Sequence, residues 1–399
     1  MGGMLDKPNQ TKQNESQTGN GLHCALSAMQ GYRVNMEDRH TMKVGIPELG
    51  RNSSWFAVFD GHSSDTVSDH CSKHLLSTLI KNSDFKEAVT KESQFDLDKF
   101  KKKVQNGLVT GFLKQDEELR ENPDLSKGSH KGGTTSICAL VTEKYITFAN
   151  LGDSRGLLSS KDVKTSKSTP VLATADHKPA SPEEEKRIKK AGGCVINNRV
   201  NGQLAVSRVF GDFEYKGTKG KDPKKQLITP EPEIYVRERN PSEDEFMVLA
   251  CDGVWDVMSN EDIVNFVADR MRVTDNLEEI CNLVLDTCLH KGSRDNMSII
   301  IIAFPAAPKV DLEARENDSK LNSLIQQKIT EMVKKNDAIT FPEIWEALSK
   351  QEFSNLPAAG GIESKKEHMI QIYDKLCPKK EEPSGSSNQP RSDKSNSRS

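Results

Sequence analysis

The chain is 399 residues long, enough for one large domain or two of ordinary size, each with a sizeable core. It is 34% hydrophobic and 29% charged with a formal net charge of −3, a soluble globular balance that argues against nucleic acid as a partner. Its longest apolar run, Ile299 to Phe304, is far too short for a bilayer, no secretory h-region opens the chain, and the eight cysteines form no Cys-x-x-Cys pair. These features predict an intracellular protein with neither a disulfide framework nor a zinc site.

In chain order, residues 1–21 are expected to be a flexible leader, because Lys7 to Asn20 is rich in Asn, Gln, Lys and Thr and lacks apolar periodicity. Structure is expected from Leu22. Strand-like runs follow at Trp55–Phe59, Ser136–Val141, Tyr145–Ala149, Glu233–Val236, Phe246–Cys251 and Ser298–Ala303. Between them lie helical patterns. Phe100, Val104, Leu108 and Phe112 recur every fourth residue as one apolar stripe. Ser181-Pro182-Glu183-Glu184 reads as a capping box with Pro at the first helical position, and Gly192-Gly193 as the stop. Ser259 to Asp262 caps another helix, and Leu277 to Leu289 reads as a third.

Only three residues separate the runs ending at Val141 and beginning at Tyr145, too few for a parallel crossover. The sheets are therefore largely antiparallel with helices packed outside, an α+β class. After Pro305-Ala306-Ala307-Pro308 the strand signals stop. Helical patterns at Leu321–Val333, Phe341–Leu348 and Glu367–Leu376 predict a small all-helical domain over 305–377, and the Ser-, Lys-, Asn- and Pro-rich residues 378–399 predict a disordered tail.

The chemistry is carried by carboxylates. Two apolar runs end in Asp-Gly: Phe56 to Asp60-Gly61, and Met247 to Asp252-Gly253. Either pair could be an ordinary strand-to-turn exit, or a rigidly presented ligand for a hard divalent cation. Further acids sit in loops or beside Gly: Glu37-Asp38, Asp153, Asp212, Asp256 and Asp295. Nearby Lys and Arg are too few to pair them all, and oxygen-only ligation points to Mg²⁺ or Mn²⁺. There is no EF-hand loop, P-loop, Gly-x-Ser-x-Gly elbow or His-Glu-x-x-His helix, which removes most of the weight from nucleotide-dependent phosphoryl transfer and serine-type hydrolysis.

The ordered set Tyr32 to Arg39, Val58 to His62, Gly132-Gly133-Thr134-Thr135, Asn150 to Arg155, Ala175 to Pro179, Leu204 to Arg208, Ala250 to Gly253 and Ser293 to Asn296 resembles protein phosphatase 2C, the metal-dependent serine/threonine phosphatase family. The added helical segment and the N-terminal sequence look like its alpha/beta branch. The resemblance spans residues 22–304, which it implies are the catalytic domain. It implies a sandwich of two antiparallel sheets flanked by helices (αββα), with a two-metal site on one edge. By that likeness Asp60 bridges both ions, the Gly61 carbonyl ligates one, Asp252 and Asp295 ligate the other, and Glu37 and Asp38 hold metal-bound waters. Two ions roughly 3.5–4 Å apart would bring a bridging water toward a pKa of about 7, and the hydroxide would attack phosphorus in line without a phosphoenzyme. Arg33 would bind the phosphate oxygens, and His62 would protonate the departing alkoxide. Asp153 and Asp256 match a weaker third metal site, and Arg199 a substrate-side position.

Plainer readings stand beside these. His62 could cap a helix beginning near Ser63, Arg33 could pair with Glu37, and Asp153 could form a turn ion pair with Arg155. The basic run Lys216 to Lys225 could steer acidic substrates or be a solvated loop. Ser63-Ser64 departs from the Ala or Gly usual in the family. Gly2 resembles a myristoylation site although Asp6 replaces the usual Ser or Thr, and one acyl chain gives only reversible membrane contact. The expected partners are phosphorylated protein substrates of a monomeric signalling enzyme in the cytoplasm, extending to the nucleus or the membrane periphery. A catalytically dead phosphoprotein scaffold and a hydrolase of small phosphate esters are the competing functions.

Overall fold

The structure, a computed structural model, describes residues 3–50, 52–126, 132–218 and 220–378. The expected lipidation position Gly2 and residues 379–399 of the expected tail lie outside the described residues. The chain divides into two compact units, Met1–Leu321 with Phe353–Lys366, and Asn322–Glu352 with Glu367–Ser399.

In the first unit a six-stranded antiparallel sheet runs in the order Met4–Gly19, Leu22–Arg33, Met297–Ala303, Asp244–Ala250, Arg155–Lys161, Ser168–Ala173. A five-stranded antiparallel sheet has the order Glu233–Glu238, Tyr145–Leu151, Ser136–Val141, Ser54–Phe59, Arg39–Val44. The sheets face each other across Leu26, Cys24, Ile300, Ile302 and Leu249 from one and Phe56, Val58, Ile137, Ala139 and Phe148 from the other. The opposite faces are covered by helices. Trp55, Ala57 and Phe59 pack on Val67, Cys71, Leu75, Phe100, Val104 and Phe112. Val248, Ile299 and Ile301 pack on Ile263, Val267, Ile280 and Val284. Both faces of the central strands are thus dry, so those strands read as unbroken apolar runs and not as alternating ones. This is the αββα sandwich expected from the resemblance.

The predicted strands all occur, and the apolar stripe lies on the helix Leu97–Glu121. Ser259 forms a reciprocal capping box with Asp262. At Ser181 the helix start and Pro182 are as expected, but the Ser181 side chain makes no cap bond. Glu184 turns instead to Arg187, Ser207 and Arg208, where it finds charge-assisted partners.

The leader is a correction. Met4–Gly19 is a strand, paired with Leu22–Arg33 through a two-residue turn at Asn20 (φ 54°) and Gly21 (φ 70°). Asn-Gly is the favoured pair for such a turn, because both central residues need positive φ. As an edge strand it is held by backbone ladder bonds and by contacts such as Lys12 Nζ to Asp286 Oδ1 at 2.7 Å, so it needs no apolar face.

In the second unit Ile325, Ile329, Ile344, Leu348, Met369 and Ile372 are buried, Phe341 packs on Tyr373, and Tyr373 Oη donates to Ile339 O at 3.0 Å. The helices observed over this part of the chain are Leu312–Lys335, Phe341–Ser349 and Lys366–Leu376. No helix among the described residues is long and apolar enough to cross a membrane.

Candidate functional site

Adjacent strand ends of the two sheets deliver acids to one cavity of ≈ 520 Å³, lined by Arg33, Glu37, Asp60, Gly61, His62, Asp153, Arg199, Asp252 and Asp295 among others. Asp60 leaves Ser54–Phe59, and its carbonyl accepts from Thr135 N at 2.9 Å and Thr134 Oγ1 at 3.0 Å. The chain then enters the short strand Gly61–His62, which pairs with Gly133–Thr134, itself paired with Phe210–Gly211. Asp252 leaves Asp244–Ala250 and opens the short helix Asp252–Trp255, so the second Asp-Gly is a helix start and not a turn.

One amide gathers the remaining pieces. Asn296 Nδ2 donates to Gln30 O and Asn35 O at 2.8 and 3.0 Å, and its Oδ1 accepts from Glu37 N at 2.8 Å. The loop carrying Arg33 and Glu37 is thereby tied to the residue after Asp295. Arg33 Nη2 donates to Asp295 Oδ2 at 2.6 Å, so Arg33 pairs with Asp295 and not with Glu37. Asp153, itself buried, pairs with Lys178 Nζ at 2.5 Å, while Arg155 takes Asp176 at 3.0 Å, so the alternative Asp153–Arg155 ion pair does not form.

Among the described residues no ion pair reaches Asp38, Asp60 or Asp252. Burial and the neighbouring Asp252, Asp38, Asp295 and Asp153 push the Asp60 carboxyl well above its ordinary value. Burial and then Asp153, Asp295 and Asp256 do the same to Asp252. Asp38 is pushed up to about 7 by burial, against a hydrogen bond from Ser298 Oγ at 2.7 Å. Its Oδ1 is buried without a hydrogen-bond partner. Ligand atoms of Asp38, Asp60 and Cys251 lie within 4.8 Å of one another, but burial pushes the Cys251 thiol up and keeps it protonated. A cluster of buried and half-buried carboxylates with an orphaned oxygen fits hard divalent cations held by oxygen.

Burial lowers the Arg33 pKa, and Asp295, Asp60 and Asp252 more than restore it, so the guanidinium stays charged. His62 does not cap the following helix, which begins at Thr66 with Asp65 as its cap residue. Its Nε2 lies 2.6 Å from Asp212 Oδ2, and Asp212 with Asp153 and Glu37 outweighs burial to raise its pKa. Ser63 takes φ 68°, a left-handed conformation that glycine adopts most readily.

Two expected residues lie at the margin of the site, Asp256 still near enough to act on Asp252. Asp256 is exposed and does not line the cavity. Arg199 lies on the exposed rim, its Nη1 donating to Gln203 O at 2.7 Å. Within the basic run, Lys216 is buried against Asp116 at 2.6 Å, so it cannot steer substrates. Reading the residues alone missed the roles of Asp212, Lys178 and Asn296. Asp212 and Lys178 find their partners 150 and 25 residues away, and no local spacing marks either pairing.

The family model described as Protein phosphatase 2C matches residues 22–297, and that described as Protein serine/threonine phosphatase 2C, C-terminal domain, matches residues 298–374. Protein phosphatase 1B of Homo sapiens is 45% identical over 384 residues, covering 96% of this chain and 78% of that protein. Protein phosphatase 1A of Mus musculus is 43% identical over 382 residues, covering 95% and 97%. Among solved structures, a phosphatase from a pathogenic strain of Toxoplasma gondii superposes with a TM-score of 0.60 at 25% identity, over 74% of this chain and 96% of that one. A C. elegans sex-determining protein superposes with a TM-score of 0.57 at 26% identity, over 73% and 66%. The chain therefore belongs to the protein phosphatase 2C family and is a protein serine/threonine phosphatase.

Proposed function

We propose that the chain hydrolyses phosphoserine and phosphothreonine in proteins directly, with water as nucleophile, two Mg²⁺ or Mn²⁺ ions as cofactors and no phosphoenzyme intermediate. The observation that carries this is the cluster of carboxylates without an ion-pair partner among the described residues, with Asp60 and Asp252 half-buried in the cavity wall that also presents Arg33 and His62, and Asp38 buried behind it. Asp60, the Gly61 carbonyl, Asp252 and Asp295 would hold the ions, with Glu37 and Asp38 on the water side. When bound, the pair supplies a water acidic enough to react at neutral pH and neutralises charge on the phosphoryl oxygens.

The chain's own residues do the rest. Arg33, kept charged by its acidic neighbours, donates to phosphoryl oxygens and fixes the phosphorus. As the water oxygen forms its bond to phosphorus, the bond to the seryl or threonyl oxygen breaks. That oxygen takes a proton from His62, which regains one from solvent. Arg199, on the rim, meets the protein part of the substrate. Asp153 and Asp256 would accept a third, weaker ion only after Lys178 leaves Asp153.

The test is phosphate release from a phosphothreonine peptide by the full chain, with Mn²⁺ and with excess chelator. Turnover should require the ion and disappear in Asp60→Asn. Undiminished turnover in chelator would overturn the assignment.

A further inference from the structure

One contact at the catalytic wall, between His62 and Asp212, plays no part in holding a cation. Asp212 Oδ2 lies 2.6 Å from His62 Nε2, and the Asp212 side chain is only 10% exposed. A carboxylate can only accept, so Nε2 carries its proton toward Asp212, and Nδ1 is left as the nitrogen able to hand a proton into the cavity.

Asp212 is held there against its own preference. It takes φ 45°, in the left-handed region, and its amide donates to Gly132 O at 3.0 Å. The backbone leading into it is clamped. Asp116 Oδ1 accepts from Gly211 N at 2.9 Å and from the buried Lys216 Nζ at 2.6 Å, and Lys216 Nζ also donates to Val209 O at 2.8 Å. Room for the contact is made opposite, at Gly133. A β-carbon there would lie 2.7 Å from Asp212 Oδ2 and 2.8 Å from His62 Nε2.

We propose that Asp212 is a positioning residue for proton donation by His62. It fixes the ring's tautomer and orientation, and Gly133 and the Lys216–Asp116 pair serve to keep that contact closed. Asp212 itself does not line the cavity. Lys216 to Lys225, which reads in the sequence as a surface charge run, thus contributes a buried lysine that braces the catalytic wall.

This inference rests on His62 acting as the acid, and the test separates the two. Turnover is measured for His62→Gln, Asp212→Ala, Asp212→Asn and the double variant His62→Gln/Asp212→Ala, on a phosphothreonine peptide and on p-nitrophenyl phosphate, whose leaving group needs little protonation. Asp212→Ala should lose at least about ten-fold in kcat on the peptide and under about three-fold on the nitrophenyl ester, with little change in KM. The double variant should be no slower than His62→Gln alone, because two residues acting as one unit are not additive. Gly133→Ala should show the same substrate-selective loss, by pushing the two side chains apart. If His62→Gln slows both substrates equally, the acid role itself fails. If His62→Gln is selective while Asp212→Ala and Asp212→Asn are not, or if the losses add, the positioning role fails. Thermal unfolding of each variant identifies any that does not fold, and Asp212→Asn, which keeps the side-chain shape, then decides.

Discussion

Gly61 passes so close to Glu37 that a β-carbon at position 61 would lie 2.5 Å from the Glu37 carbonyl oxygen and 2.8 Å from Ser68 Oγ, which donates to that same carbonyl at 2.6 Å. The glycine after Asp60 is thus demanded by a backbone crossing, in addition to any role for its own carbonyl. Gly61→Ala should force the two segments apart and displace Glu37 and Asp60 together. A loss of at least about ten-fold in kcat/KM is expected, equivalent to about 1.4 kcal/mol. Stability should fall by about 1–3 kcal/mol, as for other overpacked sites. Steady-state kinetics and urea unfolding check both, and an Ala variant with wild-type values would show that the crossing yields at no cost.

The N-terminal hairpin gives a second expectation. Continuous pairing from Lys12 opposite Met29 to Gly19 opposite Leu22 puts amides of this segment into a ladder. Hydrogen exchange should find the bonded amides between Lys12 and Thr18 exchanging far more slowly than unstructured ones. Exchange of the whole segment within the dead time would restore the flexible leader.

Glu184 supplies a pH dependence away from the acidic cavity. It is buried, and although burial raises its pKa, hydrogen bonds and charge from Arg208 and Arg187 prevail and lower it from 4.5 to about 2. A depressed carboxyl stabilises the fold above its unfolded pKa, and that contribution is lost as pH falls through the folded value. Glu184→Gln leaves two half-buried guanidinium groups uncompensated and should cost about 2–4 kcal/mol at pH 7. The gap to wild type should narrow from pH 4.5 toward pH 2. A gap that is constant with pH would contradict this origin.

For Asp252 the sign is reversed. Its carboxyl is raised by burial and by Asp153, Asp295 and Asp256, so in ion-stripped protein the penalty for ionising it grows as pH rises above 3.8. Asp252→Asn should therefore unfold at a higher temperature than stripped wild type at pH 7, by about 2–4 °C for each kcal/mol relieved. Activity should be lost at the same time, the trade-off expected where function strains the fold. A stripped variant less stable than stripped wild type would argue that Asp252 is paired by the protein itself.

Much of the sandwich was legible because its strands are buried on both faces and so read as apolar runs, as at Ser54–Phe59 and Met297–Ala303. Met4–Gly19 was not, since an edge strand is held by backbone bonds and its side chains stay polar; only Asn20-Gly21 announced it. The carboxylates were recognisable from their Asp-Gly settings and the ordered motifs. Their partners were not. Arg33 meets Asp295 across 262 residues and Asp38 meets Ser298 across 260, and only the pairing of Leu22–Arg33 with Met297–Ala303 brings those ends together. Likewise the left-handed backbone at Asp212, which aims its carboxylate at His62, leaves no periodic trace.

Calorimetric titration of Mn²⁺ into chelator-stripped protein tests the metal centre most directly. Wild type should take up two ions per chain, and Asp252→Asn and Asp60→Asn should each lose at least one, with phosphate release lost in parallel. Stripped wild type that binds no ion, or an Asp60→Asn variant that binds two as tightly as wild type, would contradict a centre built on these carboxylates.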